Sequence, residues 1–512
     1  MRLLIAAVLV YIAISLYMGL SLPGLQYDEA IYEHGAVALL TGDQHPGFSS
    51  EDHTWVRAGR MRIPLMVTSY AGAAKHYLLV GPFAIFGTAP AAGRVVSMLL
   101  GAIGIFGIGR ALQVHAGHHA GAATACVLAV HPAYIGWTIY DNAGTALWMA
   151  STGLIALALS RLANRADRMS SLLLGLAIGF ALWGRVNFLW MLAGLAVAVL
   201  VAFRGAFARL RWPAFFAGSV IGAAPLIAFE LLSRFATRQF PSQALSLPLV
   251  WTRFQFAVNA LGYDGERAGM WGGTAAPAWQ ASLFALVIPA SIAFLWLVPL
   301  TDRMTDVATR IGRAAGIASI VACGLALLAP LAVNPHHFAA LLPLPAVAVT
   351  MAGVRLGRMS RAPVAILAAA YLVFALSWNR IAHEGLAATR GVGMWSSAIA
   401  EVSGTLLRTA NGREVRIVDW GLGNNLYVLT RAGIPLREVF WHPEPWRDLV
   451  GSGGLFLMNA PDNTHFPEAA RQFQHALEQT GAAYTVTTFR QADGAEYARL
   501  YDVRRLPARG GS

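Results

Sequence analysis

Long apolar runs separated by short arginine-bearing stretches constrain the fold of this 512-residue chain more than any other feature. A run of about 20 apolar residues is long enough to cross a bilayer as a helix. Hydrophobic residues make up 56% of the chain and charged residues only 12%, which excludes an ordinary soluble protein. We therefore predict a polytopic helical membrane protein with about eleven spans, near 3–22, 92–112, 119–136, 143–160, 170–184, 186–203, 212–231, 280–300, 314–333, 338–355 and 363–381.

Arginines orient these spans, because short cytoplasmic loops carry an excess of basic residues. Arg2 places the N-terminus in the cytoplasm. Alternate short loops carry further arginines and are therefore also predicted to be cytoplasmic: Arg110, Arg161, Arg165, Arg168, Arg204, Arg209, Arg211, Arg303, Arg310, Arg313, Arg355, Arg358 and Arg361. This pattern accounts for the net charge of +12 without a nucleic-acid partner. We expect a transmembrane domain over 1–384 in a bacterial inner membrane. Its loops 23–91 and 232–279, and a soluble domain over 385–512, are expected on the extracytoplasmic side.

The first of these outer loops is unusually rich in polar side chains. Pro23-Gly24 ends the first span, and an amphipathic helical pattern restarts around Asp28 and Glu29, typical of a helix lying on the membrane surface. The two acids could simply cap this helix and complement its dipole. The loop also contains acids, histidines and cations that suit general-base chemistry on a hydroxyl and binding of a phosphate: Glu33, His34, Asp43, His45, Glu51, Asp52, His53, Arg57, Arg60, Arg62, Lys75 and His76.

Further chemical groups are predicted on the same side of the membrane. Asp141 follows the third span, where it could serve chemistry or cap the fourth span. Arg185 interrupts two apolar runs, which is costly unless it meets an anion or water. His337 lies in a short turn, where a local hydrogen bond is the alternative to a chemical role. The acids and histidines could also bind a divalent metal, although their spacing matches no standard ligand pattern.

The tail from residue 385 differs from the rest of the chain. Residues 415–418, 454–458 and 484–487 have the composition of strands, and 467–479 has the periodicity of a helix. We predict a small α/β domain packed over the outer loops. Gly421-Leu422-Gly423-Asn424 is only part of a dinucleotide-binding pattern, so we interpret it as a turn.

Four short motifs occur in an order that resembles a known family. They are Tyr27-Asp28-Glu29-Ala30, Lys75-His76-Tyr77-Leu78, Phe86-Gly87 and Gly93-Arg94. Their order and predicted topology resemble the GT-C glycosyltransferases of the protein O-mannosyltransferase and aminoarabinose-transferase type over residues 20–360. The family's Lys-Pro-Pro-Leu stretch is matched at Lys75, while His76-Tyr77 replaces the two prolines.

The resemblance implies transfer of a sugar, with inversion, from a polyprenyl-phosphate donor to a glycan, lipid or protein acceptor. It also implies that no cofactor and no essential metal is used. It implies Asp28 as the base with Glu29 in support, Lys75 and Arg185 on the donor phosphate, and Asp141, His76 and His337 near the substrate. Two alternatives stay open at this point. A lipid-linked glycan ligase or polymerase would carry its polar site in a long late loop. A transporter would explain intramembrane polar residues, but no inverted repeat is apparent.

Overall fold

A computed structural model describes residues 1–43, 54–59, 61–141, 144–236, 243–262, 265–273, 278–299, 303–441 and 445–505. Five polar residues of the first loop that were considered above lie outside these ranges: His45, Glu51, Asp52, His53 and Arg60.

The first helix and the first loop contain both helices and short strands. The elements are α1 (Arg2–Met18), α2 (Tyr27–Ile31), α3 (His34–Thr41), β1 (Trp55–Ala58), β2 (Met61–Pro64), β3 (Met66–Thr68), β4 (Ala71–Gly72) and α4 (Ala74–Phe86). β1 pairs with β2 and β3 with β4, both antiparallel. The sequence of 64–90 is apolar and interrupted by prolines, which predicts interfacial helices within the first loop; this prediction is wrong for 64–72, which contains strands. Pro64 lacks the N–H that a helix interior needs, and the β-branched Val67-Thr68 favours a strand.

Each of the eleven apolar runs that we predicted coincides with one helix or a bent pair of helices. The first run corresponds to α1. The remaining helices before the tail are α5 (Pro90–His115), α6 (His118–Val130), α7 (Pro132–Ile139), α8 (Thr145–Asn164), α9 (Arg168–Gly184), α10 (Leu189–Ala202), α11 (Trp212–Gly222), α12 (Ala224–Leu232), α13 (Leu247–Gly262), α14 (Ala278–Leu297), α15 (Arg303–Leu328), α16 (Pro335–Ala339), α17 (Pro343–Met359) and α18 (Arg361–Thr389), of which α13 lies in the second long loop and matches no predicted run. Among the described residues, four helices are long and apolar enough to cross a membrane alone, and up to six do so if each bent pair is one span. The difference from eleven arises because several apolar helices have 17 residues or fewer.

Glycines let the membrane helices approach closely. Gly175 and Gly179 on α9 face Gly218 and Gly222 on α11, and both pairs have the four-residue spacing that aligns small residues on one helix face. A Cβ at Gly218 would lie 2.2 Å from the carbonyl oxygen of Leu172. The backbones of α9 and α11 are therefore in direct contact, and this contact holds the end of α9, where Arg185 lies.

The tail folds as a compact α/β unit with its own core. Its elements are α19 (Ala398–Thr409), β5 (Val415–Ile417), α20 (Gly423–Leu429), β6 (Leu436–Glu438), α21 (Trp446–Gly451), β7 (Gly454–Asn459), α22 (Pro467–Thr480), β8 (Tyr484–Arg490) and β9 (Glu496–Val503). The strand order is β6-β5-β7-β9-β8, with β5 parallel to β6 and β7, and β9 antiparallel to β7 and β8. The predicted strands and helix are present, whereas β6 and β9 were not predicted.

The carboxyl ends of the parallel strands face the first loop. The ring of Tyr27 in α2 packs at a tilt against Trp420, which follows β5, and its hydroxyl donates to Glu438 at 3.0 Å. The side-chain amide of Asn425 on α20 donates to the carbonyl of Leu25 at 3.2 Å. The C-terminal α/β domain therefore holds the segment that carries Asp28.

Backbone contact between α9 and α11 leads to a testable prediction. Gly218→Ala should lower the free energy of unfolding by about 1–3 kcal/mol, because the added Cβ meets a rigid backbone carbonyl. Gly353→Ala on α17 is the matched control, since nothing lies within 4 Å of its Cβ position and alanine favours a helix. Thermal unfolding in detergent measures both. Equal melting temperatures for the two variants would contradict the close α9–α11 contact.

Candidate active site

Three consecutive residues of α2 point in three directions, because successive residues of a helix are about 100° apart. Tyr27 contacts the soluble domain, Asp28 faces a cavity, and Glu29 enters the membrane domain. The side chain of Gln26 accepts hydrogen bonds from the backbone N–H groups of Asp28 (2.6 Å) and Glu29 (3.1 Å). Gln26 is thus the N-cap of this helix, so capping does not account for the two carboxylates.

Glu29 is locked in a buried ion pair with Arg94 at the start of α5. The guanidinium donates to both carboxylate oxygens, from Nε to Oε1 at 2.7 Å and from Nη2 to Oε2 at 2.8 Å. Its remaining donors reach the carbonyls of Leu20, Pro23 and Gly24. Because all five N–H donors of Arg94 are used internally and both Glu29 oxygens bind this guanidinium, the geometry favours a supporting role for Glu29.

Asp28 lies on the wall of a cavity of about 230 Å³. Burial raises the pKa of its carboxyl to about 6, against the opposing effects of the Gln26 hydrogen bond and the positive charge of Arg185. A carboxylate with this pKa is ionised at neutral pH and is a stronger base than an exposed aspartate. The other lining residues are Ile31, Tyr32, Thr68, Tyr70, Arg185, Val186, Asn187, Leu331, Ala332, Asn334, His336 and His337.

The loop strands bring Arg185 to this cavity. Arg185 is extended at the end of α9 and forms an isolated antiparallel β-bridge with Ala71, and the N–H of Val186 donates to the carbonyl of Tyr70 at 3.0 Å. The guanidinium is 4% exposed, lies over the Tyr70 ring at 5.6 Å and forms no ion pair with any described residue. A buried cation of this kind is suited to receive an anion.

The opposite wall comes from the turn between α15 and α17. Nη2 of Arg185 lies 3.0 Å from Nε2 of His337. Arg253 of α13 stabilises this wall, because its guanidinium donates to the carbonyls of Leu327, Ala329 and Leu331 just where α15 ends. The structure thus brings Asp28, Arg185 and His337 together in one cavity.

Lys75 and Asp141 lie outside the lining of that cavity. Nζ of Lys75 is 3.0 Å from Oδ2 of Asp141, and both side chains are buried. Oδ1 of Asp141 accepts from the N–H of Ala146 in the first turn of α8, so Asp141 also has the capping role considered above. This pair ties α4 to α8, and binding of a phosphate by Lys75 would require it to leave Asp141.

Two buried residues complete the surroundings of α2. His76 does not line the cavity. Its Nε2 lies 3.2 Å from the carbonyl oxygen of Ile31. Burial, together with the neighbouring His34, lowers the pKa of His76 well below its usual value. Sequence analysis placed His76 near the substrate, whereas the structure places it behind α2. Burial raises the pKa of Glu33 to about 8, despite the charge of Lys75. Its carboxyl packs on Gly93, where any Cβ would collide with it.

Sequence reasoning did not identify every residue of this site. It did not single out Tyr70 or Asn187, and it assigned no role to His336, although His336 adjoins His337 in the printed sequence. Tyr70 carries no motif, and only its β-bridge neighbour Ala71 places it over Arg185. No three His, Cys, Asp or Glu side chains among the described residues are arranged to hold a metal ion.

The neighbouring acids Asp28 and Glu29 should respond differently to loss of charge. Glu29→Gln leaves the Arg94 guanidinium buried without its counter-charge, which should cost about 3–5 kcal/mol of unfolding free energy. Asp28→Asn is the control, because Asp28 has no ion-pair partner among the described residues and should melt near the wild-type temperature. The measurement is the melting temperature of each purified protein. Equal melting temperatures of the two variants would rule out a structural role for Glu29.

No family model and no curated protein sequence matches this chain. Solved structures do match. ArnT from Cupriavidus metallidurans bound to undecaprenyl phosphate aligns with a TM-score of 0.66 and 14% identity over 98% of this chain and 97% of that one. The same protein in the apo state aligns with a TM-score of 0.61 and 14% identity over 97% of each chain.

A more distant match is the archaeal oligosaccharyltransferase AglB from Archaeoglobus fulgidus, in complex with an inhibitory peptide and a dolichol-phosphate. It aligns with a TM-score of 0.50 and 12% identity over 99% of this chain and 75% of that one. At such identities the likeness concerns the fold. The expected fold class is confirmed: this chain has the GT-C fold of the membrane glycosyltransferases, with an ArnT-like arrangement of the membrane domain and the C-terminal α/β domain.

Proposed function

We propose that this protein is a glycosyltransferase that moves a sugar from a polyprenyl-phosphate donor to an acceptor hydroxyl, with inversion. The observation that carries the proposal is the placement of Asp28 and Arg185 on one cavity. A carboxylate of raised pKa and a buried cation without an ion-pair partner among the described residues are the two groups that this reaction needs. The matched fold supports it, since ArnT is solved with undecaprenyl phosphate and AglB with a dolichol-phosphate.

The proposed step is a single displacement at the anomeric carbon. The Asp28 carboxylate takes the proton of the acceptor hydroxyl. At the same time, the oxygen of that hydroxyl attacks the anomeric carbon. The bond from the anomeric carbon to the phosphate oxygen breaks, and its electron pair leaves with the polyprenyl phosphate. Arg185 stabilises the negative charge that grows on the departing phosphate. Attack opposite the leaving group inverts the configuration.

The acceptor and the sugar are left open in this proposal, with glycan, lipid and protein acceptors all compatible with it. Orientation follows the arginine distribution, which supports a cavity and soluble domain on the extracytoplasmic side of a bacterial inner membrane. A divalent metal is not needed for the step as written. Sugar transfer from a panel of polyprenyl-phosphate sugars to labelled acceptors tests the function, and no turnover of any polyprenyl-phosphate sugar would refute it.

Asp28→Asn should fold normally and lose about 10²-fold or more of the transfer rate, because asparagine keeps the size of aspartate but cannot take the proton. In the wild type, the rate should fall as the pH drops through about 6, where Asp28 becomes protonated. Initial rates between pH 5 and 8 measure both effects. Near-normal turnover by Asp28→Asn would show that another residue is the base. The same conclusion would follow if that variant kept the wild-type loss of rate at low pH.

Lys75 can be tested separately from its ion pair. Lys75→Met alone should destabilise the protein by about 3–5 kcal/mol, because it leaves the Asp141 carboxylate buried without its counter-charge. The double variant Lys75→Met/Asp141→Asn removes both charges, keeps an oxygen that accepts from Ala146, and should recover most of that stability. If Lys75 binds the donor phosphate, the double variant will fold yet bind the donor weakly. Wild-type donor affinity in the stable double variant would reduce Lys75 to a structural role.

A further inference from the structure

His337 is held between two hydrogen-bond donors. On one side, the backbone N–H of Asn334 donates to Nδ1 at 2.9 Å, as α16 begins. On the other side, Nη2 of Arg185 lies 3.0 Å from Nε2. The ring is 5% exposed, and the edge of its ring meets Trp190 and His336.

A neutral imidazole has only one nitrogen that can accept a hydrogen bond. Burial, together with the neighbouring His336 and the charge of Arg185, lowers the pKa of His337 well below its usual value, so the ring is neutral. If Nδ1 accepts from Asn334, Nε2 carries the proton and points it at the guanidinium. If Nε2 accepts from Arg185, the N–H of Asn334 faces another N–H. Either tautomer leaves two donors opposed.

Of the two contacts that His337 makes, only the one with Arg185, on the cavity side, can change to separate the opposed donors. The N–H of Asn334 belongs to the backbone at the start of α16 and cannot turn away, whereas Arg185 has a flexible side chain that lines the cavity. The proton therefore belongs on Nε2, and two N–H groups converge at the cavity wall. An oxygen that accepts from both would satisfy them, and its negative charge would be opposite Arg185, which forms no ion pair with any described residue.

We propose that Nε2–H of His337 and the guanidinium of Arg185 together bind one phosphoryl oxygen, with His337 acting as a neutral donor rather than as a base or a cation. The proposal deepens the function given above and rests on it for the identity of the ligand, the phosphate of a polyprenyl lipid. By donating to Nδ1, the N–H of Asn334 holds His337 in the tautomer that can donate from Nε2 to the phosphate.

Glutamine and glutamate at position 337 separate this role from helix capping. Both side chains occur at the third residue of a helix, where they accept a hydrogen bond from the N-cap N–H. Glutamine keeps an N–H donor for the phosphate, whereas glutamate offers only acceptors and would pair with Arg185. His337→Gln should therefore retain affinity for undecaprenyl phosphate within a few-fold, and His337→Glu should lose about tenfold or more, while both melt near the wild-type temperature.

The measurement is equilibrium binding of undecaprenyl phosphate to the full-length protein in detergent, beside inorganic phosphate and the neutral undecaprenol. Weak but measurable competition by inorganic phosphate would support a site for the phosphoryl group, and binding of undecaprenol as tight as that of the phosphate would overturn it. Equal affinity of His337→Glu and His337→Gln for undecaprenyl phosphate would also overturn the donor role.

A double-mutant cycle provides a second readout if a glutamate variant folds poorly. Arg185→Gln and His337→Leu should each weaken binding of undecaprenyl phosphate, and the combined loss should be smaller than the product of the two, because both groups hold the same oxygen. Strictly multiplicative losses would overturn a shared site. Gly353→Ala, which lies outside the cavity lining, should bind as the wild type does. Phosphate-dependent binding without any sugar transfer would refute the proposed function and leave this site standing.

Discussion

The buried pair of Glu29 and Arg94 is the interaction on which the arrangement of the site depends. It joins a five-residue helix, too short to be stable alone, to the start of a 26-residue helix of the membrane domain. Arg94 also holds the carbonyls of the segment that leads from α1 to α2. With Glu29 turned inward, the helical twist turns Asp28 towards the cavity and Tyr27 towards the soluble domain.

Three parts of the chain meet at this helix, and each contributes differently. The membrane domain supplies charge, through Arg185 and the turn that carries His337. The first loop supplies the carboxylate, and its strands draw the end of α9 towards it. The soluble domain places the carboxyl ends of its parallel strands, where many α/β folds bind ligands, directly on Tyr27. That edge is therefore occupied by the protein itself, which gives the domain a positioning role.

Charge is balanced tightly around the site. Glu29 is paired with Arg94, and Lys75 with Asp141. Burial raises the pKa of Glu33 to about 8, so its carboxyl is mostly protonated at neutral pH and adds little negative charge to the site. Arg185 shares its cavity with Asp28 but forms no ion pair with any described residue, and a buried cation in that state is costly. An anionic ligand would lower this cost, which links the electrostatics of the cavity to the chemistry proposed for it.

The sequence alone determined the class of the protein, because apolar run length, arginine placement and strand composition depend on local chemistry. It also brought Asp28, Arg185 and His337 forward as candidates. Apart from the family resemblance, it gave no reason to assign Asp28 and Glu29 different roles, and it did not show that Lys75 faces Asp141 rather than the cavity. Those distinctions rest on partners 65 and 66 residues away in the chain (Glu29–Arg94 and Lys75–Asp141) and, for Arg185 and His337, 152 residues away. Tertiary packing alone decides which neighbours a side chain meets, since a rotation of one helical residue redirects it by about 100°.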